Sequence, residues 1–312
     1  MMKAKVPSGI FATGPIAVML VMIGLLASGA RAAPPLELEA GDVAWSRLVY
    51  RAADRPQDLL VEVTLAEVAP AGLASLLQSG PGADLASDDK LLRMTARIEV
   101  ARSGRTYRTD VWFSPAEAAP LQRRRDKIGR DGNRKVFSYL ADGVHRLRLD
   151  PKNGAEAAQP PESWSEVREH DYPYGAAQTG CALVTDPNLL FFIASAGAVG
   201  EAPLSLCVFN KQVLHRVELS AADAGKLEAS YLEIAGGVQT PLRREAGLRR
   251  IRIRSFPPEV DGIRPERFEF FEMGGEIAID LDRDSGLPLR ISGEIGRLGR
   301  VEFLLSEVTL RP

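Results

Sequence analysis

Residues 287–295 read Leu-Pro-Leu-Arg-Ile-Ser-Gly-Glu-Ile, and this alternation constrains the fold more than any other feature of the chain. Leu287, Leu289, Ile291 and Ile295 would point to one side, and Arg290, Ser292 and Glu294 to the other. A period of two with one wet face is the pattern of antiparallel sheet. The same habit recurs along the chain. Strand candidates lie at 43–51 and 59–68. Residues 91–101 and 106–113 flank the turn Ser103-Gly104, and 135–140 and 144–149 flank Ala141-Asp142-Gly143. Later candidates are 204–209 and 213–219 around Asn210-Lys211, then 227–234, 248–254, 276–281, 287–295 and 300–310. Most links are of hairpin length, and no regular strand–helix alternation appears. The expected fold class is mostly β: an antiparallel barrel or half-barrel with few short helices.

One helix start is well marked. Asp186 can cap and Pro187 suits a first turn. The following Leu-Leu-Phe-Phe-Ile-Ala-Ser-Ala-Gly is apolar on every face, which predicts a buried helix after Pro187, covering a sheet or plugging a barrel end. Short helices are also expected at 70–78 and 115–125. A Pro-containing connector, 151–180, separates an N-terminal β-rich half, 33–150, from a C-terminal one, 181–312. The two halves are expected to form one continuous sheet system.

The N-terminus reads as a targeting segment. Lys3 and Lys5 precede an apolar core at 16–26, and Ala30-Arg31-Ala32 is a small-residue cleavage pattern. Cleavage between Ala32 and Ala33 predicts an exported, periplasmic protein. The core is too short to span a bilayer, and no later stretch approaches that length, so no membrane span is expected after cleavage. An outer-membrane barrel is disfavoured: aromatics are 6% of the chain, and the outward strand positions carry Arg and Glu. An oxidising compartment and two cysteines point to one bridge, Cys181 to Cys207, with two separate buried thiols as the alternative.

Charge and motifs exclude more than they assign. Lys plus Arg is 39 against 41 Asp plus Glu, a net charge of −2, which gives no support for a nucleic-acid partner. Losing Lys3, Lys5 and Arg31 with residues 1–32 takes the balance to −5. There is no G-x-S-x-G elbow. Ser87-Asp88-Asp89-Lys90 matches S-x-x-K but lies in a polar loop without companion motifs. Asp280, Asp282 and Asp284 alternate, yet Ser285 and Ile291 stand where a calcium loop needs Gly and Glu, so they read as a charged hairpin tip. The run Arg123-Arg124-Arg125, near Lys127 and Arg130, reads as a solvated loop, with anionic head groups as the alternative partner. The three histidines stand at no metal-ligand spacing, and no metal, cofactor or catalytic residue is expected.

Three stretches carry a resemblance. They are Val111-Trp112-Phe113-Ser114-Pro115 with Phe137-Ser138-Tyr139-Leu140; Glu162-Ser163-Trp164-Ser165 with Tyr172-Pro173-Tyr174; and Thr185-Asp186-Pro187-Asn188-Leu189-Leu190 with Leu206-Cys207-Val208-Phe209-Asn210-Lys211. Together with Gly286-Leu287-Pro288-Leu289-Arg290-Ile291-Ser292-Gly293 they resemble a group of secreted proteobacterial proteins of unknown function. The C-terminal half is similar to an uncharacterised periplasmic domain built as an open antiparallel β-barrel, whose architecture resembles the half-barrels of lipoprotein carriers. The resemblance implies fold and compartment and no catalytic residue. The functional expectation is a non-catalytic periplasmic protein holding an apolar or lipid-like ligand, or an envelope partner, in a concave sheet. The alternatives are an envelope hydrolase with a site assembled from distant strands and an interaction module acting through a sheet edge.

Overall fold

The computed structural model describes residues 36–54, 58–69, 90–129, 131–175, 183–257 and 266–312. Ala32, Ala33, Cys181, Ser87 and the expected helix at 70–78 lie outside the described residues. Residues Ala33–Pro312 form one compact unit. No helix among the described residues is long and apolar enough to cross a membrane.

Fifteen described strands build a single sheet. The first eight pair in chain order, each antiparallel to the last: β1 (Trp45–Ala52), β2 (Leu59–Val68), β3 (Leu91–Val100), β4 (Arg105–Ser114), β5 (Ala119–Ile128), β6 (Asn133–Tyr139), β7 (Gly143–Asp150) and β8 (Glu166–Pro173). The others are β9 (Val184–Thr185), β10 (Leu204–Asn210), β11 (Val213–Ala235), β12 (Val238–Phe256), β13 (Gly274–Asp282), β14 (Pro288–Ile295) and β15 (Gly299–Leu310). The last strand joins the two halves by pairing with β1, so the order runs from β8 through β1 and β15 to β9. Strands β9 and β10 pair in parallel.

The sheet is curled without closing into a barrel, for its terminal strands β8 and β9 do not pair with each other. Two contacts show the curl. The tip of β11 turns back so that Leu232, Glu233 and Ile234 run parallel to Glu307, Val308 and Thr309 of β15. A bulge between Asp223 and Lys226, with Gly225 at φ 71°, lets the long strand bend. At the other end, Phe209 of β10 meets Phe137 of β6 and Tyr172 of β8 at 6.2 and 5.7 Å.

Inside the curl lies the expected helix, α2 (Leu189–Ser195), which follows the short α1 (Gly154–Ala157). All seven of its residues are buried. A helix this short has no stability of its own. Packing supplies it: Phe191 meets Trp45, Tyr50 and Phe271 at 5.6, 6.4 and 5.5 Å, and Phe192 meets Phe113 at 5.0 Å. Each of the five large apolar side chains of α2 contributes roughly 1.5–3 kcal/mol by burial.

Three local expectations need correction. Asp186 is not the N-cap. That position is Asn188, and the Asp186 carboxylate accepts the Asn188 backbone N–H (2.9 Å) and side-chain N–H (2.7 Å) just ahead of the helix. Residues 115–125 are not helical. They form a turn with Ala118 at φ 49°, then the first part of β5, because the free edges of β4 and β6 take that segment as sheet. The stretch 151–180 is more than a connector, since it contains β8. Asp280 and Asp282 stand at the end of β13 in the β13–β14 hairpin, and both are buried. Asp280 is buried between Arg250 (2.7 Å) and Arg290 (2.6 Å), and Asp282 accepts from Arg244 and Ser285.

Candidate functional site

Inside the curl of the sheet α2 and its apolar partners pack as the core. One cavity at the mouth of the sheet has a charged lining. It encloses about 280 Å³, at the small end for ligand cavities. Its wall is one face of β4 to β7, contributing Thr109, Arg123, Arg125, Lys135, Phe137 and Arg146. Its rim is Pro187-Asn188 ahead of α2, the β10–β11 turn at Asn210-Lys211-Gln212, and Glu266, Glu269, Phe271 and Glu272.

Strand register places the charges. Lys135 stands directly opposite Arg125 on β5 and opposite Arg148 on β7. One step along, Phe137 is flanked by Arg123 and Arg146 in the same way. Like charges facing across strands destabilise a sheet. Three of the four arginines are relieved by acids. Arg148 donates to Asp150 at 2.7 Å. Arg125 donates to both carboxylate oxygens of Glu272, with contacts from 2.6 to 3.0 Å. Arg123, 5% exposed, donates to Asp186 at 2.9 Å and lies 4.1 Å over the Phe137 ring. Tyr139 donates its hydroxyl to the same Asp186 oxygen. Burial opposes the Arg123 charge, and Asp186 more than offsets it, so the guanidinium stays protonated.

Lys135 and Arg146 have no carboxylate partner among the described residues. Arg146 lies 5.1 Å over the Tyr172 ring, and its Nε is buried with nothing to donate to. The Nε of Arg123 is orphaned in the same way. Burial, and the fields of Arg125, Arg148, Arg146 and Arg123, push the Lys135 ammonium down to about 8. The opposite face of the sheet differs, because there Arg124 meets the buried carboxylate of Asp110 at 3.1 Å.

Backbone strain gathers at the rim. Four described non-glycine residues have positive φ, and three line this cavity: Lys211 (57°), Phe271 (47°) and Glu272 (62°). Phe270 and Met273 exchange backbone hydrogen bonds at 2.8 Å, so Phe271-Glu272 is a two-residue turn with both central residues left-handed. Such turns favour Asn-Gly. A bulky residue there costs on the order of 1–2 kcal/mol. The turn is held by Phe271 stacking on Phe270 (4.3 Å) and by the Glu272–Arg125 pair. Lys211 is fixed by Glu269 and Glu266 at 3.0 and 3.3 Å.

The residues singled out in the sequence divide clearly. Arg123-Arg124-Arg125 is no solvated loop. It is the middle of β5, and alternation sends Arg123 and Arg125 into the cavity and Arg124 to the other face. Cys207 lies in β10 and is not a free thiol. Its expected partner, Cys181, lies outside the described residues. No group of three metal-ligating side chains occurs among the described residues.

The residue types of a hydrolytic triad occur together on one sheet face. Ser138, His145 and Asp171 stand in one row across β6, β7 and β8, and His145 bonds Asp171 at 2.7 Å. No hydrogen bond joins Ser138 to His145. The Ser138 hydroxyl accepts from Gln122 at 3.3 Å. The row does not line the mouth cavity, so the residue types of a triad are present without its geometry. His215 is buried against Phe268 (5.4 Å) with neither ring nitrogen bonded, and burial pushes it down to about 4.

The fold carries a testable consequence of the Lys135 environment. Its folded value lies below the unfolded one, so between about pH 8 and 10.5 the unfolded chain holds the extra proton, and stability from this group rises with pH. Below pH 8 the charged lysine is a liability. Lys135→Met should therefore stabilise the protein at pH 7 by ~1 kcal/mol after allowance for screening, with a smaller gain at pH 9.5. Urea melts at both pH values read this, and a variant less stable than the parent at pH 7 would contradict it.

Comparisons with known proteins assign no chemistry to this chain. No family model matches the chain, and no curated protein matches it. Among solved structures it is similar to a β-barrel-like protein of a domain of unknown function from Brucella abortus. That likeness has 10% identity and a TM-score of 0.34 over 86% of this chain and 98% of the other.

Proposed function

We propose that the protein is an exported, non-catalytic binding protein of the cell envelope that recognises an acidic group at the mouth of its curled sheet. The observation that carries this reading is the pair of unmatched cations, Lys135 and Arg146, in a wall whose remaining charges are paired. Natural chains break the rules of sheet pairing chiefly where function requires it. Two of the four buried guanidinium Nε groups without acceptors among the described residues, those of Arg123 and Arg146, belong to this wall, and donors of this kind are ordinarily satisfied. An apolar cargo is not favoured, because α2 fills the space it would need. Hydrolysis is not favoured either, since the cavity wall and rim offer cations and paired carboxylates and no Ser, Cys or His.

Export rests on the leader-like residues 1–32. It is supported by the compactness of residues Ala33–Pro312 without them. In that compartment we assign Cys207 a bridge to Cys181, worth about 3 kcal/mol in the chain-entropy model. Intact mass of the protein recovered from the periplasm tests both points. The expected mass begins at Ala33 and is two hydrogens lighter than after reduction. An unprocessed chain, or an unchanged mass on reduction, would refute the corresponding assignment.

Binding is tested by calorimetric titration with inorganic phosphate at low ionic strength. Saturable binding is expected, weakened about tenfold by Lys135→Ala and by Arg146→Ala, the effect of losing one charge-assisted contact. Added sodium chloride should weaken it further. Absence of saturable binding to the parent protein, or indifference to both substitutions, would overturn the reading.

A further inference from the structure

Glu272 occupies an unusual position in the anion site. Its carboxylate is the one group on the strained turn that reaches the β5 wall, where it takes both donors of a forked contact on Arg125. Forked guanidinium–carboxylate pairing is also the geometry by which arginine holds a phosphoryl group. The two side chains are each 23% exposed at the lip of the cavity, so the pair is within reach of an entering ligand. The backbone at Glu272 is left-handed at φ 62°, adjoining a second such residue, so the turn stores strain that its release would relieve.

We propose that Glu272 is a built-in occupant of the anion site, displaced from Arg125 by a phosphoryl group of the ligand. The inference rests on the reading of the cavity as an anion site and adds to it the ligand class and the order of events. On the β5–β7 wall Arg123 is neutralised by Asp186 and Arg125 by Glu272, leaving Lys135 and Arg146 uncompensated, while on the rim Glu266 and Glu269 share Lys211, so the cavity is net positive by one charge and favours an anion. Lys135 lies opposite Arg125 across the strands, so an anion held between Lys135 and Arg146 abuts the place Glu272 fills. As the phosphoryl group arrives, Arg125 exchanges one anionic partner for another, and Glu272 swings out to solvent. A displaced internal carboxylate lowers affinity by competition, so removing it should strengthen binding, the reverse of what removal of a contact residue does.

The test is a double-mutant cycle on phosphate affinity with the full mature protein: parent, Glu272→Gln, Arg125→Ala and the double variant. Glu272→Gly serves as a second variant, since glycine accepts the φ of this position without strain. Glu272→Gln and Glu272→Gly are each expected to bind phosphate about tenfold more tightly than the parent. In the Arg125→Ala background the Glu272→Gln gain is expected to vanish. A gain of equal size without Arg125 would mean that Glu272 acts only through its field, and no gain in either variant would mean that it is a fixed wall. Either result overturns displacement while leaving the anion site standing. No phosphate binding by any of the four proteins overturns the site as well. Dihexanoyl phosphatidic acid, titrated in parallel, separates the sources. Equal affinity assigns a soluble phosphate ester and tighter binding assigns a lipid headgroup, and either accords with displacement provided the Glu272→Gln gain appears with both probes.

Discussion

Burial of α2 is the constraint on which the rest depends. Its seven residues present apolar surface on every side, and no single flat sheet can cover that. A sheet that bends round and reaches the helix from several strands can. Trp45 and Tyr50 of β1 and Phe113 of β4 all meet it, and Phe271 reaches it from the turn before β13. The curl is therefore the shape a mainly antiparallel fifteen-stranded sheet takes when its concave face must dry a short, greasy helix. The aromatic cluster of Phe137, Tyr172 and Phe209 then draws the two ends of the sheet towards one another beyond the helix.

Filling the interior moves polar chemistry to the rim. Thr185 and Asp186 lead into α2, so the burial that fixes the helix also fixes the Asp186 carboxylate against Arg123 and Tyr139. Phe271 is anchored on Phe191 of the same helix, and that anchor holds the left-handed turn that aims Glu272 at Arg125. Core and site thus share parts. The apolar contact of one turn residue positions the charged contact of its neighbour, and the stability gained inside offsets the repulsion and strain concentrated outside.

Much of this was legible in the amino-acid order. Hairpins at Ser103-Gly104, Ala141-Asp142-Gly143 and Asn210-Lys211 stand where turn chemistry put them. The run after Pro187 is helical and buried because an all-apolar segment has nowhere else to go. Other elements were hidden for identifiable reasons. Gln122 to Lys127 is a string of good helix formers, and its strand state comes from the edges of β4 and β6, a tertiary effect that overrides local propensity. β8 shows no apolar alternation because, as the sheet's last strand, it is exposed along most of its length. The cationic wall needed register as well as composition. Arg123, Arg125, Lys135, Arg146 and Arg148 converge only when three strands are aligned. The β6–β7 turn already implies that Lys135 faces Arg148, and that was the signal available to find it. The Phe271-Glu272 turn carried none of the usual Asn or Gly markers, so nothing local announced it.

The central claim is that the sheet wraps a filled interior and leaves recognition to its charged mouth. The most direct measurement is titration of the native protein with the apolar probe N-phenyl-1-naphthylamine, followed by fluorescence. A full interior predicts no saturable enhancement below the onset of unfolding. Stoichiometric, saturable enhancement by the folded protein would show an apolar cavity where α2 is placed and would contradict the account.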